Sequence, residues 1–405
     1  MQEKTINNRK ILFVDHDPKI TGSTVSMKYL IKEFDIRGCE VILLSPKGKK
    51  ALDYFQNCRI KHVYWNYDIT LDLHFTNVSK IITPRGLLNF CRLLKKFFKG
   101  LILAFNSLKR IKPDLIYINE YVLMQFSIAG KLLNIPSVTH IRSPFLKGTI
   151  GLRRYLLSHS LLFFNSFIFA ISKHEAQQVL GKNSDKGKKL KIVYEFLDNS
   201  DFYNEYDISA VKKDFAIPLE KKVILMIGGI EQVKGTFEII EAFSRLIIIR
   251  DDIYLIIVGP INNNRNYNDK CFNFIHDNDV ENSIKIIDFT TRIHELIACS
   301  DIVVSSSNIS HFSRPTIEAW AQKKAVVSSR TEHALEFMED GKDCLLFEIG
   351  NPESLSEKLQ LLLSNDVLRN YLGENGYLKA EEKFQASSCI DRIVQYCFSI
   401  FSLQG

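Results

Sequence analysis

Short apolar runs alternate with helical stretches along almost the whole chain. Lys10–Asp15 is a continuous apolar run ending in polar residues, a helical stretch follows at about Ser23–Arg37, and Val41–Leu44 is the next apolar run. An apolar run of this kind predicts a strand buried on both faces, and strand, helix and strand in succession predict a βαβ unit with a right-handed crossover. The alternation therefore predicts parallel sheets covered by helices, an α/β fold.

The alternation restarts after a polar stretch, Asp198–Pro218, which is a candidate linker. A chain of 405 residues is too long for one ordinary core. We expect two doubly wound domains, residues 1–200 and 201–384, and a last helical segment, 385–405, that packs back on the N-terminal domain. The further predicted strands are Leu115–Ile118, Ser137–Ile141, Phe167–Ile171, Ile192–Tyr194, Val223–Ile227, Ile253–Val258, Ile284–Ile287, Ile302–Val304, Ala325–Val327 and Cys344–Phe347.

The cysteines and the N-terminus indicate a cytosolic protein. The eight cysteines are scattered without a close pair, so neither a metal-ligand spacing nor a disulfide framework is present. The N-terminus lacks the long apolar core of a secretion signal, and the apolar run at Leu161–Ile171 is too short to span a bilayer.

Two loops after predicted strands have the composition of an anion site. A polar loop follows Ile302–Val304 and leads into a helix at Pro315, with Glu318 on the first turn. Proline favours a helix start, and the amides of that start carry a partial positive charge. The other loop contains Gly228, Gly229 and Lys234; its glycines let a phosphate approach and its lysine adds a charge, although a Gly-Gly pair also occurs in plain strand-to-helix turns.

The motifs of the second half, in their order, closely resemble the nucleotide-sugar domain of family 4 glycosyltransferases. They are Gly-Gly-Ile-X-X-X-Lys-Gly from Gly228, Val-Gly-Pro ending at Pro260, Cys-Ser-Asp-Ile-Val-Val from Cys299, Phe-Ser-Arg-Pro-Thr-Ile-Glu-Ala-Trp-Ala from Phe312, and Asp340–Phe347. The first half agrees more loosely, through Thr21-Gly22, Arg37-Gly38-Cys39-Glu40-Val41 and the strand that carries His140.

The resemblance implies the GT-B fold, two facing Rossmann-like domains with an interdomain cleft, and metal-independent, retaining transfer from a nucleoside diphosphate sugar without a further cofactor. Lys234 would hold the diphosphate, Glu318 would accept hydrogen bonds from the ribose hydroxyls, and His140 would lie near the donor sugar. The other donor-binding residues that it implies are Gly22, Gly228, Gly229, Ser313, Arg314, Pro315 and Thr316.

This chain departs from the family pattern at two positions. Ser310 stands where the family has the first acid of a pair, which helps to bind the donor sugar, and Gly229 stands where the family usually has arginine. Arg314 or Arg292 could restore the lost charge, and His311 could meet a sugar hydroxyl.

Polar residues after strands of the first half are candidates for the acceptor side. They are Arg142 beside His140, Glu120 after the strand that begins at Leu115, and His16 after the first strand. His140 could instead make only a structural hydrogen bond, and Glu120 could be a helix-start acid.

No acid occurs between Asp72 and Asp114, and this interval predicts a basic amphipathic helix. Its basic arc includes Arg92, Lys95, Lys96 and Lys99, and its apolar side includes Leu87, Phe90, Leu94, Phe97, Phe98, Leu101 and Phe105. Such a helix favours a membrane surface, whereas the ordinary alternative places its apolar side on the domain core. We expect no nucleic-acid partner, because no recognition motif accompanies the charge.

The sequence thus predicts a glycosyltransferase acting on a glycan or lipid-linked acceptor in cell-surface polysaccharide synthesis, at the inner face of the cytoplasmic membrane. The alternative is a catalytically impaired GT-B protein that binds a glycan, lipid or partner enzyme. A dinucleotide-dependent oxidoreductase is disfavoured, because no Gly-X-Gly-X-X-Gly turn follows the first strand.

Overall fold

The computed structural model describes residues 8–16, 22–47, 55, 60–71, 84–143, 145, 152–181, 188–261 and 264–402. The chain divides into two units, Met1–Glu195 together with Ala386–Gly405, and Phe196–Gln385. Each unit has a parallel sheet flanked by helices, so the predicted α/β class is confirmed.

The sheet of the first unit contains seven described strands in the order β3-β2-β1-β4-β5-β6-β7. All neighbouring strands are parallel, and Ile11 in the middle of the sheet pairs with Val41 and Leu115. The strand order reverses between β1 and β4, the position at which open α/β sheets bind ligands. The strands are β1 Lys10–Val14, β2 Glu40–Pro46, β3 Lys61–Trp65, β4 Leu115–Ile118, β5 Ser137–Ile141, β6 Phe167–Ala170 and β7 Leu190–Ile192.

Helices of the first unit cover this sheet. Ser172 caps α5 by accepting a hydrogen bond from the Glu175 amide at 3.1 Å. A 3-10 turn at Tyr121–Leu123 precedes α3. The helices are α1 Gly22–Ile36, α2 Pro84–Ile111, α3 Gln125–Leu132, α4 Leu152–Phe164 and α5 Lys173–Leu180.

The sheet of the second unit contains six described strands in the order β10-β9-β8-β11-β12-β13, again all parallel. Its order reverses between β8 and β11, so the two motif-bearing loops leave the sheet side by side. The strands are β8 Lys222–Ile227, β9 Ile253–Val258, β10 Ile284–Ile287, β11 Ile302–Ser305, β12 Ala325–Ser329 and β13 Leu345–Phe347.

The helices of the second unit pack on a core formed largely by these strands. Lys234 lies in a 3-10 turn, Gln232–Lys234, immediately before α7. The helices are α6 Ile208–Asp214, α7 Thr236–Ile247, α8 Arg265–Asp277, α9 Ile293–Cys299, α10 Arg314–Ala321, α11 Ala334–Phe337, α12 Pro352–Ser364 and α13 Asp366–Lys383.

The last helix, α14 (Ala386–Ser402), packs within the first unit. The ring of Phe398 meets Phe34 of α1 with centroids 5.6 Å apart, and Tyr396 meets Phe169 of β6 at 6.2 Å. These aromatic contacts join the chain's last described helix to the core of its first half.

Candidate functional site

The loop after β8 has two glycines in close contact with their neighbours. The stem of Lys234 lies across Gly228, where an added Cβ would be 3.1 Å from the lysine Cγ. Gly229 has φ +70°, and a Cβ there would overlap the carbonyl oxygen of Pro260. An arginine at position 229 is therefore incompatible with this backbone, which explains the departure from the family pattern in physical terms.

Hydrogen bonds tie this loop to the one after β11. Ser306 Oγ donates to the Lys234 carbonyl at 3.0 Å, and Ser307 Oγ donates to the Val233 carbonyl at 3.0 Å. Gly235, at φ +67°, lies directly against the Ser306 backbone. The two loops therefore form one support, and the position of Lys234 depends on both.

Lys234 lines a cavity formed by these loops and the start of α10. Its ammonium group makes no hydrogen bond or ion pair with a described residue. Burial lowers the pKa of Lys234, and the charge of Glu231 only partly offsets this. A half-buried cation of this kind suits an anionic ligand. The other lining residues are Met226, Ile227, Val304, Ser305, Ser306, Ser307, His311, Phe312, Ser313 and Pro315.

The start of α10 meets the same cavity through Ser313 and Pro315. Ser313 Oγ does not cap the helix; it lies 2.9 Å from Ser305 Oγ and accepts a hydrogen bond from Thr316 Oγ1 at 2.9 Å. The partial positive charge of this helix end is therefore not neutralised by a side-chain cap. The expected donor residues Ser313 and Pro315 thus line the cavity together with Lys234, and Thr316 contacts Ser313.

The two arginines that could have replaced the missing charge are engaged elsewhere. Arg314 Nε donates to Glu318 Oε1 at 2.7 Å, and Arg314 does not line the cavity. Arg292 donates to Glu295 at 2.8 Å and to Asp214 at 2.8 Å on the surface. Within the described part of the second unit, Lys234 is the cation that lines this cavity.

Ser310 and its neighbour His311 have separate roles. Ser310 Oγ accepts a hydrogen bond from the backbone amide of His333 at 2.8 Å, next to α11. His311 lines the cavity. The position of the expected acid is thus occupied by a hydroxyl that fixes a neighbouring loop.

In the first unit, polar residues meet where the strand order reverses. Asn119, after β4, donates to Asp15 Oδ1 at 3.0 Å, and His16 Nδ1 lies 3.6 Å from the same oxygen. His16 and Glu120, two acceptor-side candidates, follow these neighbouring strands. Gly22, expected at the donor, is the exposed first residue of α1.

Glu120 is buried in a strained conformation. Its φ of +134° is unusual for a residue other than glycine, and 1% of it is exposed. Its carboxylate accepts hydrogen bonds from the amides of Tyr121 at 2.9 Å and Arg142 at 3.2 Å. Burial nevertheless raises the pKa of Glu120. Strain and burial of this kind are concentrated at functional sites.

His140 faces the interior of the first unit. Its Nδ1 lies 2.6 Å from the Tyr117 hydroxyl, its ring is 5.8 Å from that of Phe169, and 1% of the residue is exposed. Burial, with the charge of Arg142, keeps the pKa of His140 well below its usual value. The Tyr117 contact is the hydrogen bond that the structural alternative for His140 expects, and the buried Nε2 has no hydrogen-bond partner among the described residues. Arg142 is also buried, in an ion pair with Glu195.

Helix α2 has apolar residues on two sides. Phe97, Leu101 and Phe105 pack against the core of the first unit, as the ordinary alternative predicts. Within the described ranges, no helix is long and apolar enough to cross a membrane. Lys96 is paired with Asp68 at 2.7 Å, whereas Arg92, Lys95 and Lys99 are exposed. The exposed apolar residues of α2 are Leu87, Leu88, Phe90, Leu94, Phe98 and Ile102.

Several partners of the candidate residues could not be recognised from the sequence. Tyr117 and Glu195 surround His140 and Arg142, and Asp201 and His294 lie behind Arg314. The spacing of four between Arg314 and Glu318 is a signal for a side-chain pair on a helix. Asp201 and His294 carry no such signal, because they are far apart in the chain.

Two family models match this chain in succession. The model described as Glycosyltransferase Family 4 matches residues 20–200, and the model described as Glycosyl transferases group 1 matches residues 207–379. The chain is 26% identical to the lipopolysaccharide core biosynthesis glycosyltransferase LpsE of Rhizobium meliloti over 44% of its own length and 50% of that protein. It thus spans half the length of this relative.

A second relative matches over a longer part. It is the N-acetylgalactosamine-N,N'-diacetylbacillosaminyl-diphospho-undecaprenol 4-alpha-N-acetylgalactosaminyltransferase of Campylobacter jejuni, 25% identical over 73% of this chain and 78% of the relative. The crystal structure of Anabaena HepE in complex with UDP and glucose is similar with a TM-score of 0.79, 19% identity, and coverage of 96% of this chain and 99% of that one. The predicted GT-B fold is confirmed, and the chain belongs to the family 4 glycosyltransferases.

Proposed function

We propose that this chain is a retaining glycosyltransferase that moves a sugar from a nucleoside diphosphate sugar to a lipid-linked or glycan acceptor. The observation that carries the proposal is the ammonium group of Lys234, which lies without a described partner beside the uncapped start of α10. A leaving diphosphate gains negative charge in the transition state, so a fixed cation and a helix start favour that state over the substrate. No metal and no further cofactor enters this scheme.

The donor is tested first by thermal shift with UDP, GDP and ADP, because a bound ligand raises the apparent stability. Transfer is then measured with the matching nucleotide sugars and a polyprenyl diphosphate-linked acceptor. Binding of one diphosphate, lost in a Lys234→Met variant, supports the proposal. Failure of all three to bind would refute it.

A binding protein without transferase activity is the second candidate. Ser310 favours it, because its hydroxyl is engaged with the His333 amide and offers no carboxylate to a donor sugar. This candidate requires nucleotide binding without turnover on any acceptor. Single-turnover measurements with a radiolabelled nucleotide sugar distinguish the two, since only an enzyme releases the free diphosphate in step with labelled acceptor.

The acceptor side of the proposal is supported by an acid-poor surface on the first unit. Residues 73–174 contain fifteen lysines and arginines but two acids, Asp114 and Glu120. Neither acid lies in α2, α3 or α4, and α3 contacts both of its neighbours. A polyprenyl-linked acceptor would reside in an anionic bilayer, so the charge of this helical layer is complementary to it.

Exposed apolar side chains lie on each of these three helices. Phe98 and Ile102 of α2 are 57% and 62% exposed, Leu132 of α3 is 65% exposed, and Phe163 of α4 is 65% exposed. Exposed apolar groups among lysines and arginines, with few acids, are typical of surfaces that enter the lipid headgroup region. We therefore propose that the first unit contacts the inner face of the cytoplasmic membrane through this layer, and that transfer takes place there in cell-surface glycan synthesis.

A further inference from the structure

The guanidinium group of Arg314 is bound by its own unit. Nε donates to Glu318 Oε1 at 2.7 Å, Nη1 donates to the Phe196 carbonyl at 3.1 Å, and Nη2 lies 3.9 Å from Asp201 Oδ2. The side chain is 13% exposed. These contacts turn the guanidinium group away from the cavity that Lys234 lines, although Arg314 is the first residue of α10.

An arginine at this position is unfavourable for the helix itself. A cation in the first turn of a helix is opposed by the helix dipole. The order Arg then Glu at i and i+4 is also less favourable than the reverse order. Another residue at position 314 would therefore make the helix more stable. We infer that the role of the arginine comes from its side-chain contacts.

What Arg314 holds is the carboxylate of Glu318. Glu318 is buried, with 9% of the residue exposed, and its Oε1 is fixed by the arginine. Among the described residues, none donates a hydrogen bond to Oε2. A buried carboxylate with one oxygen fixed presents the other in a defined direction, which suits recognition of a hydroxyl group.

We propose that Arg314 is a positioning residue, which orients Glu318 toward the ribose hydroxyls of the donor nucleotide and does not bind the diphosphate. This inference rests on the proposed function, because it requires a nucleotide at the Lys234 cavity. It assigns the two charged side chains of α10 to ribose recognition, and it leaves the diphosphate to Lys234 and the helix start.

Asp201 and His294 support the arginine from behind. His294 Nε2 lies 3.3 Å from Asp201 Oδ1, and the Asp198 amide donates to Asp201 Oδ2 at 2.9 Å. Burial would raise the pKa of Asp201, but His294 and then Arg314 lower it overall. Asp201 is thus a fixed anion, and it restricts the arginine to the orientation in which Nε meets Glu318.

The experiment compares nucleotides with and without ribose hydroxyls. Affinities of UDP, GDP and ADP are measured by titration calorimetry, together with the 2′,3′-dideoxy form of the diphosphate that binds. We expect the wild-type protein to prefer the ribose form about tenfold, the effect of one well-placed hydrogen bond. In Arg314→Met this ratio should fall toward one, while the affinity for the dideoxy form stays within about twofold.

Arg292→Met is the matched control, because Arg292, just before α9, also pairs with an acid of the helix that follows it but lies outside the cavity. Its ratio should remain that of the wild type. In Glu318→Gln the preference for the ribose form should also fall toward one. In the double variant Arg314→Met/Glu318→Gln it should fall no further, because the two residues act as one unit. Asp201→Asn is a smaller change and should lower the preference for the ribose form in part. It serves as the test variant if Arg314→Met does not fold.

If Arg314→Met lost affinity for both nucleotide forms equally, the arginine would bind the diphosphate. This result would overturn the inference but not the proposed function. An unchanged ratio would overturn the inference too. Failure of the wild-type protein to bind any of the three diphosphates would overturn the proposed function and the inference together.

Discussion

Gly235 lies so close to Ser306 that a Cβ on the glycine would overlap the serine carbonyl oxygen. The glycine also has φ +67°, a conformation that side chains oppose. This contact brings the loop after β8 against the loop after β11, and it places Lys234 beside α10. The geometry of the site therefore requires that residue 235 has no Cβ.

We predict that Gly235→Ala lowers the free energy of unfolding by more than about 2 kcal/mol, from backbone strain and overlap together. It should also weaken nucleotide diphosphate binding, because the loops must separate. Gly341→Ala is the control: Gly341 has φ +77° but no atom within 4 Å of its Cβ position, so strain alone should cost about 1 kcal/mol. Equal unfolding energies for the two variants in urea would show that the loop contact is not tight.

We predict that Lys234 lowers the stability of the folded protein, although it binds the nucleotide. Burial lowers the pKa of this lysine, so the unfolded chain binds the proton more tightly than the folded one, and the folded state loses stability as pH falls below the unfolded value of about 10.4. Lys234→Met should therefore raise the melting temperature at pH 7 without ligand and abolish the shift caused by nucleotide.

Lys212→Met is the matched control for this variant. Lys212 is buried in the second unit, and its ammonium group donates to the carbonyls of Leu219 at 3.0 Å and Lys221 at 2.8 Å. Its loss leaves two acceptors unpaired, so the melting temperature should fall. If Lys234→Met also melted lower than the wild type, the lysine would have a stabilising partner and the argument for an unpaired cation would fail.

The strands of both sheets were largely predictable because buried parallel strands are continuous apolar runs. β4, β5, β9 and β10 have the predicted bounds, and other boundaries differ by one or two residues. β3 was missed: Lys61–Trp65 is a half-exposed edge strand with mixed polar residues. Helix α8 was missed as well, because Tyr267, Cys271 and Ile275 are its only buried residues and the rest is polar.

The candidate site was predictable where it follows local motifs and not where it depends on side-chain direction. The sequence placed Lys234, Ser313 and Glu318 at one edge of the second sheet, because each follows a strand or begins a helix. It could not place His140, since every residue of β5 is buried and neither face is marked by polarity. The partners of Arg314 come from distant segments, so no spacing reveals them.

The stability that Glu120 contributes should depend on pH. Burial raises its pKa above the unfolded value of about 4.3, so the folded state holds the proton more tightly, and stability is lost as pH rises from that value through the folded pKa. Glu120→Gln, which cannot ionise, should gain stability relative to the wild type between pH 4 and pH 8. Glu357→Gln, at an exposed position of α12, is the control. A gain that is constant with pH would show that folding does not raise the pKa of Glu120.

The acid-poor helical layer should bind anionic vesicles through α2. Reversing Arg92, Lys95 and Lys99 to glutamate should weaken binding to phosphatidylglycerol vesicles by at least a hundredfold, because each basic residue near such a surface contributes about 1 kcal/mol. These residues are exposed, so the fold should be retained. The measurement is co-sedimentation at low salt, with phosphatidylcholine vesicles as the neutral comparison.

The apolar side chains of the same helix make a separate contribution. Phe98→Ser with Ile102→Ser should weaken binding to both kinds of vesicle, since apolar insertion does not depend on lipid charge. Reversal of Lys213, Arg265 and Lys383, all exposed in the second unit, is the matched control and should leave binding unchanged. If that control weakened binding as much as the α2 variant, net charge and not this surface would account for the attraction, and the proposed membrane contact would be wrong.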